Sequence, residues 1–181
     1  MSAPRVRPPR GSGSDPIAGS ALGHQPETLT AFLKLYGTLW SHGVLDQASK
    51  ELARLRNARI VDCTICKSIR FAGAREEGLS EAVVDQIRDG YETSALSARQ
   101  KAVLRWTDTF LSGEPEPNAA QRAEMLAFFT PAELVELTAG LALFMGFSKI
   151  AVSLGGMPDS LPVSIQPTPD WPPAGGAPPE R

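Results

Sequence analysis

Apolar residues recur every three or four positions through most of the stretch from Pro26 to Leu154, the spacing that lines one face of a helix. Leu29, Phe32, Leu33, Tyr36, Leu39 and Trp40 form such a face behind Pro26, and Gly43 marks its end. In DQASKELARLRNARI, Leu52, Leu55 and Ile60 are apolar while Lys50, Arg54 and Arg56 make a polar side, which predicts a second helix. Asp62 reads as the N-cap of a third helix, CTICKSIRFAGAREEG, closed by Gly78, and Ser80 begins a short fourth one, EAVVDQIRDG. Ser97 with Gln100, Asn118 with Gln121 and Thr130 with Glu133 have the reciprocal spacing of capping boxes and open three more, the last with Pro131 at its first position. That last segment, PAELVELTAGLALFMGFSKIAVSLGG, is apolar on almost every side from Leu137 to Phe147, as expected of a helix buried within a bundle or between subunits. No alternation of period two runs long enough to read as a strand. The expected fold class is therefore all-α, a bundle of about seven helices with short connections.

Proline marks the limits of that bundle. Residues 1–26 hold five prolines and residues 156–181 hold eight, against three in between, so both ends are expected to be unstructured. This gives a tail at 1–25, a helical domain at 26–155 and a Pro-rich tail at 156–181. The whole chain of 181 residues is one domain's worth and enough to bury a core. A net charge of −2 and 21% charged residues give no polybasic footprint, so neither nucleic acid nor a membrane surface is an expected partner. Arg5, Arg7 and Arg10 read as solvated tail. No uninterrupted apolar run reaches the ~18 residues of a membrane span, and the start MSAPRVRPPRGSGS is polar where a secretory signal is apolar, so a cytoplasmic location is expected.

The candidate chemistry lies in CTICKSIR, where Cys63 and Cys66, the only cysteines, form a C-x-x-C pair. In a reducing compartment such a pair is more often catalytic or metal-binding than structural. A zinc site needs about four N or S ligands, and His24 and His42 lie far upstream without finger-like spacing, so no metal is expected. A c-type haem needs a histidine where Lys67 stands, and no cofactor is expected. Behind a cap at Asp62, Cys63 falls in a helical first turn, where free N–H groups and the helix dipole favour a thiolate. Cys66 then lies one turn on, within reach to close a disulfide, and Lys67 and Arg70 add positive charge. A redox dithiol is the reading these placements favour, over two small residues packed in a core.

KELARLRNARIVDCTICKSIRFAGAREEGL, followed by FTPAELVELTAGLALFMGFSKI as a closing helix, resembles the carboxymuconolactone decarboxylase and alkyl hydroperoxidase D-like (AhpD-like) superfamily over most of the structured region. The peroxidase branch has a glutamate twelve residues before the first cysteine, then C-x-x-C, then a histidine four residues later. Glu51, Cys63 and Cys66 match that pattern, and Arg70 stands in place of the histidine. The resemblance implies a helical homo-oligomer, a trimer or hexamer, with a dithiol between helices. It also implies a thiol peroxidase or disulfide oxidoreductase that reduces a small hydroperoxide or exchanges with a lipoyl or thioredoxin-like electron donor. By likeness Cys66 is the peroxidatic sulfur, Cys63 the resolving one and Glu51 part of a proton relay. The helix-terminus argument instead favours Cys63 as the thiolate, so the roles stay open. Arg70 stays charged and cannot act as a general base, but it can hold a thiolate or pair with Glu51. His42, at the end of the first helix, reads first as a cap that suits the helix dipole and offers an imidazole only if that helix packs nearby, and Ser68 offers a hydroxyl on the cysteine helix. Two other readings stand beside this one. One is a non-redox enzyme of the decarboxylase branch that holds a small carboxylated lactone through Arg56, Arg59 and Arg70. The other is a helical assembly module without catalysis, with its thiols inaccessible.

Overall fold

Asp46 accepts a hydrogen bond from the Ser49 amide at 2.7 Å and starts α2 (Gln47–Ile60), the helix around which the rest is arranged. Every residue of α2 from Ser49 to Ala58 is buried, although the run includes Lys50, Glu51, Arg54 and Arg56. The polar side anticipated for this helix therefore faces neighbours, not solvent, and each charge has a partner from another turn or another helix.

In the computed structural model, which describes residues 3–11, 17, 19–113 and 116–172, α2 packs chiefly against α6 (Ala98–Ser112) and α8 (Pro131–Leu154). α1 (Pro26–Ser41) opens with the expected proline and lies against α8, while α7 (Ala119–Phe128) bridges α6 and α8. The three capping boxes form as anticipated: Ser97, Asn118 and Thr130 each accept from the backbone three residues on, and Gln100, Gln121 and Glu133 reach back. One core cluster, with Leu52, Leu55, Leu104 and Leu141 fully buried, joins α2, α6 and α8. A second, aromatic cluster of Tyr36, Trp40, Phe71 and Phe144 lies between α1 and α8. By length and composition α8 would suffice to cross a membrane, a property hidden from a count of consecutive apolar residues because its polar positions interrupt the run.

Two expectations are corrected. The predicted third helix is instead α3 (Thr64–Ser68), a strand β1 (Ile69–Phe71) and α4 (Ala72–Glu76), followed by the short α5 (Glu81–Val84). Its cap is Cys63, not Asp62. Asp62 takes a left-handed conformation at φ 58°, ending α2 in a Schellman turn in which the Cys63 amide donates to Ala58 and the Asp62 amide to Arg59. Cys63, with extended backbone, then serves as the cap of α3.

The C-terminal segment departs from expectation too. Residues 164–166 form β2 (Ser164–Gln166), which pairs in parallel with β1 in the register Ile69↔Ser164 and Phe71↔Gln166. Near the other end, Val6 donates its amide to Leu154 and Arg5 Nη1 donates to Ser153. Proline content predicted freedom here, but a three-residue strand needs only its own amides and a free edge. The tail expectations for residues 1–2, 12–16, 18 and 173–181 lie outside the described residues.

Candidate active site

The Schellman turn and the cap together fix Cys63 between α2 and α3, where it is fully buried and bonded to Cys66 in a disulfide. Cys63 Sγ accepts from the Cys66 amide at 3.2 Å, so this sulfur sits at the N-terminal end of α3 among donor groups. Cys66 is half-buried and lines a cavity of about 460 Å³. Tyr36, Phe71, Phe144, Phe147, Ile65 and Ile69 line it too, together with Arg54. Burial pushes the Tyr36 hydroxyl up to about 12, with Glu51 adding to the rise and Arg54 opposing it, so it stays protonated at neutral pH.

The Ser148 hydroxyl approaches Cys66 Sγ at 3.5 Å and accepts from Asn57 Nδ2 at 3.0 Å. Ser148 and Asn57 are both buried, one on α8 and one on α2, so two core helices meet at the sulfur. Neither is legible in the sequence, because a serine in an apolar helix and an asparagine in a charged one carry no spacing signal.

Glu51 is fully buried, and Arg54 clamps it through Nε and Nη2, each at 2.7 Å. The Phe71 amide also donates to it at 3.3 Å. Arg54 in turn donates to the carbonyls of Cys66 at 2.8 Å and Ile69 at 2.7 Å and lies over the Phe71 ring at 5.1 Å. Burial works to lower the Arg54 pKa, and Glu51 more than offsets it, so the guanidinium stays charged. Glu51 thus reaches the cysteine segment through Arg54, a residue assigned above only to a polar side. The signal for it was the three-residue spacing of Glu51 and Arg54 on one helix.

Arg70 does not join this group, for a geometric reason. On a continuous helix, position 70 lies one turn beyond Cys66 on the same face. In β1, side chains alternate, so Ile69 and Phe71 line the cavity and Arg70 points the other way. There it is buried, donates to Glu81 at 3.0 Å and closes on the Lys67 carbonyl at 2.6 Å. Ser68 donates to the Ile65 carbonyl at 2.9 Å, within its own helix. His42 is not among the residues that line the cavity; its Nε2 meets Oδ1 of Asp170, which is, at 2.8 Å. No cluster of three or more His, Cys, Asp or Glu suited to a metal occurs among the described residues.

The profile of the carboxymuconolactone decarboxylase family matches residues 26–109, which contain Glu51, Arg54 and both cysteines. An uncharacterized protein of Mycobacterium tuberculosis is 36% identical over 112 residues, a match that spans 61% of this chain and 39% of that protein. Three solved structures share the fold. A protein of unknown function from Agrobacterium tumefaciens, named for AhpD antioxidant defence, aligns with a TM-score of 0.65 at 23% identity, over 76% of this chain and 94% of its own. An alkylhydroperoxidase AhpD core, a peroxidase-related protein from Ralstonia eutropha, gives 0.64 at 22% identity, over 76% and 74%. A peroxidase-related protein from a Silicibacter species gives 0.67 at 18% identity, over 88% and 95%.

Proposed function

We propose that this chain, whose residues 26–109 match the carboxymuconolactone decarboxylase family and whose fold is that of the AhpD-like structures, is a thiol-dependent oxidoreductase whose Cys63–Cys66 pair reduces a small organic hydroperoxide. The observation that carries the reading is the asymmetry of the pair. Cys66 lines an apolar cavity with a hydroxyl directed at its sulfur, while Cys63 is wholly buried behind it. Cys66 is then the sulfur that meets oxidant, and Cys63 resolves.

The Cys66 thiolate attacks the outer peroxide oxygen, the O–O bond breaks, and the alkoxide takes a proton to leave as an alcohol, which leaves a Cys66 sulfenic acid. The Cys63 sulfur then attacks Cys66 Sγ, water departs and the disulfide forms. An external dithiol of the lipoyl or thioredoxin type supplies the two electrons that reopen it. In that reopening Cys63 leaves as a thiolate, and the Cys66 amide at its sulfur favours it there. Ser148 stabilises the Cys66 thiolate. The Glu51–Arg54 pair positions the cysteine segment through the Cys66 carbonyl. A homo-oligomer, trimer or hexamer, accompanies this reading, supported by Leu35, Leu126 and Val135, which stay exposed on α1, α7 and α8.

The non-redox reading needs a cationic pocket for a substrate carboxylate. A second cavity, of about 620 Å³, is lined by Arg56, Arg59, Lys67 and Arg88. Asp89 and Asp108 already hold Arg56, and Asp62 holds Lys67. Arg70 is taken by Glu81. Arg59, which donates to the Val84 carbonyl at 2.9 Å, and Arg88 still give that cavity a cationic lining, so the redox reading is preferred for the sulfur its own cavity holds and not for want of cations in the other.

Thiol titration of the native protein after full reduction, before and after a stoichiometric organic hydroperoxide, tests the proposal. The expected result is rapid loss of both thiols, with a mass decrease of about two hydrogens on the Cys63–Cys66 peptide. Thiols that react only after denaturation would overturn it.

A further inference from the structure

Gln166 to Asp170, a stretch outside residues 26–109 that carry the family match, form one wall of the Cys66 cavity. Four contacts hold it. β2 pairs with β1 through Ile69, Arg70 and Phe71, the residues that directly follow the cysteine helix. The Gly73 amide donates to Thr168 Oγ1 at 2.9 Å. Ser41 donates to the Pro169 carbonyl, and His42 holds the Asp170 carboxylate at 2.8 Å.

Two glycines are shaped to this segment. Gly37 sits in the middle of α1, where alanine is ordinarily the better residue by about 0.5–1 kcal/mol. A Cβ there would fall 2.6 Å from the Asp170 carbonyl oxygen and 2.7 Å from the Trp171 amide nitrogen, so the backbone of the segment occupies the missing side chain's place. At Gly73 a Cβ would meet Thr168 Oγ1 at 2.8 Å. Helices α1 and α4 thus each give up a side chain where this segment lies against them.

We propose that residues 166–170 are the size-determining wall of the Cys66 cavity, so that this strap admits compact hydroperoxides and bars bulky reagents from the sulfur. The proposal rests on the thiol oxidoreductase reading for the identity of the oxidant. The strap contributes Pro167 and Pro169, whose fixed backbone and missing N–H groups give a stiff wall. The helices contribute aromatic rings. A cavity of about 460 Å³ closed in this way falls within the ordinary size of a small-molecule site, about 300–1,000 Å³.

The test uses full-length Gly37→Ala and Thr168→Val variants, with the reduced protein and two alkylating probes, iodoacetamide and a polymer-linked maleimide. Amide exchange over residues 164–170 reports whether the strap is released, and peptide mass spectrometry locates the alkylated sulfur. In Gly37→Ala, exchange is expected to accelerate and the bulky probe to react with Cys66 about tenfold faster, equivalent to about 1.4 kcal/mol, while iodoacetamide changes less than about twofold. Thr168→Val shifts the same ratio in the same direction. Unchanged exchange in both variants, or a released strap with an unchanged probe ratio, overturns the proposal. Alkylation does not depend on turnover. If the probe ratio shifts but no hydroperoxide oxidises the wild-type pair, the oxidoreductase reading falls and the strap's control of access stands.

Discussion

Ser148 Oγ stands 3.5 Å from Cys66 Sγ and receives an N–H from Asn57 at 3.0 Å, which leaves the hydroxyl hydrogen free to turn toward the sulfur. A hydroxyl so placed favours the thiolate over the thiol. Ser148→Ala is expected to raise the Cys66 thiol pKa and slow iodoacetamide alkylation of the reduced protein at neutral pH by up to about tenfold, the worth of one hydrogen bond. A pH series of alkylation rates separates this from a general loss of structure, since only the pKa should move.

The two sulfurs should also separate by trapping. With Cys63→Ser, one equivalent of hydroperoxide is expected to leave a sulfenic acid on Cys66 that a sulfenate-specific reagent captures. With Cys66→Ser, the buried Cys63 should stay reduced over the same time. Capture on Cys63 at the faster rate would reverse the assignment.

Arg70 occupies the position where the resemblance has a histidine, yet β1 turns it toward Glu81. Arg70→His should therefore bring no gain in hydroperoxide reactivity, with rates within about threefold of wild type. It is expected to lower stability by about 1–3 kcal/mol, because Glu81 and the Lys67 carbonyl lose a buried partner. A large gain in rate would mean that the side chain at 70 enters the cavity.

Arg54 and Glu51 form a buried pair whose members are unequal to removal one at a time. Arg54→Met leaves the Glu51 carboxylate buried and unpaired and is expected to cost about 3–5 kcal/mol, read as a shift in the urea midpoint at constant slope. Adding Glu51→Leu should recover part of the loss but not all, since the Cys66 and Ile69 carbonyls remain without their donor. Full recovery would show that Arg54 matters only as a counter-ion.

Acid sensitivity has a traceable source at Asp46. Burial works to raise its pKa, but the bonds from Arg99 at 2.6 Å and from Ser49 outweigh it, and the carboxyl titrates below its usual range. A carboxyl whose folded pKa is depressed contributes stability that is complete above the unfolded value, about pH 3.9, and lost as pH falls through the folded value. Unfolding free energies from about pH 5 down should therefore fall more steeply for wild type than for Asp46→Asn below about pH 4. Parallel curves would exclude Asp46 as a contributor.

These outcomes separate what was local in the sequence from what was not. Each capping box at Ser97, Asn118 and Thr130 is a bargain among four neighbouring residues, so spacing alone revealed it. The C-x-x-C pair was equally local. Asp62 misled because an aspartate suits both a helix start and a left-handed helix end, and the choice depends on where α2 stops. The break at Ile69 was hidden for a deeper reason: its partner, Ser164, lies about a hundred residues away, and three residues of strand leave no periodicity to read. Burial of Lys50, Glu51, Arg54 and Arg56 was illegible because it depends on Glu136, Asp108 and Arg54's carbonyl partners arriving from other elements.

That buried, charged α2 leaves the chain little room for half-measures. Ordinary amphipathic helices can dock on an apolar surface loosely and refine later. A helix that carries Lys50, Glu51, Arg54 and Arg56 inward must meet Glu136 on α8 and Asp108 on α6 in the same event, or desolvate charges without relief. Collapse without assembly is thereby penalised, and the native arrangement is protected from molten rearrangement by the polarity of its own centre.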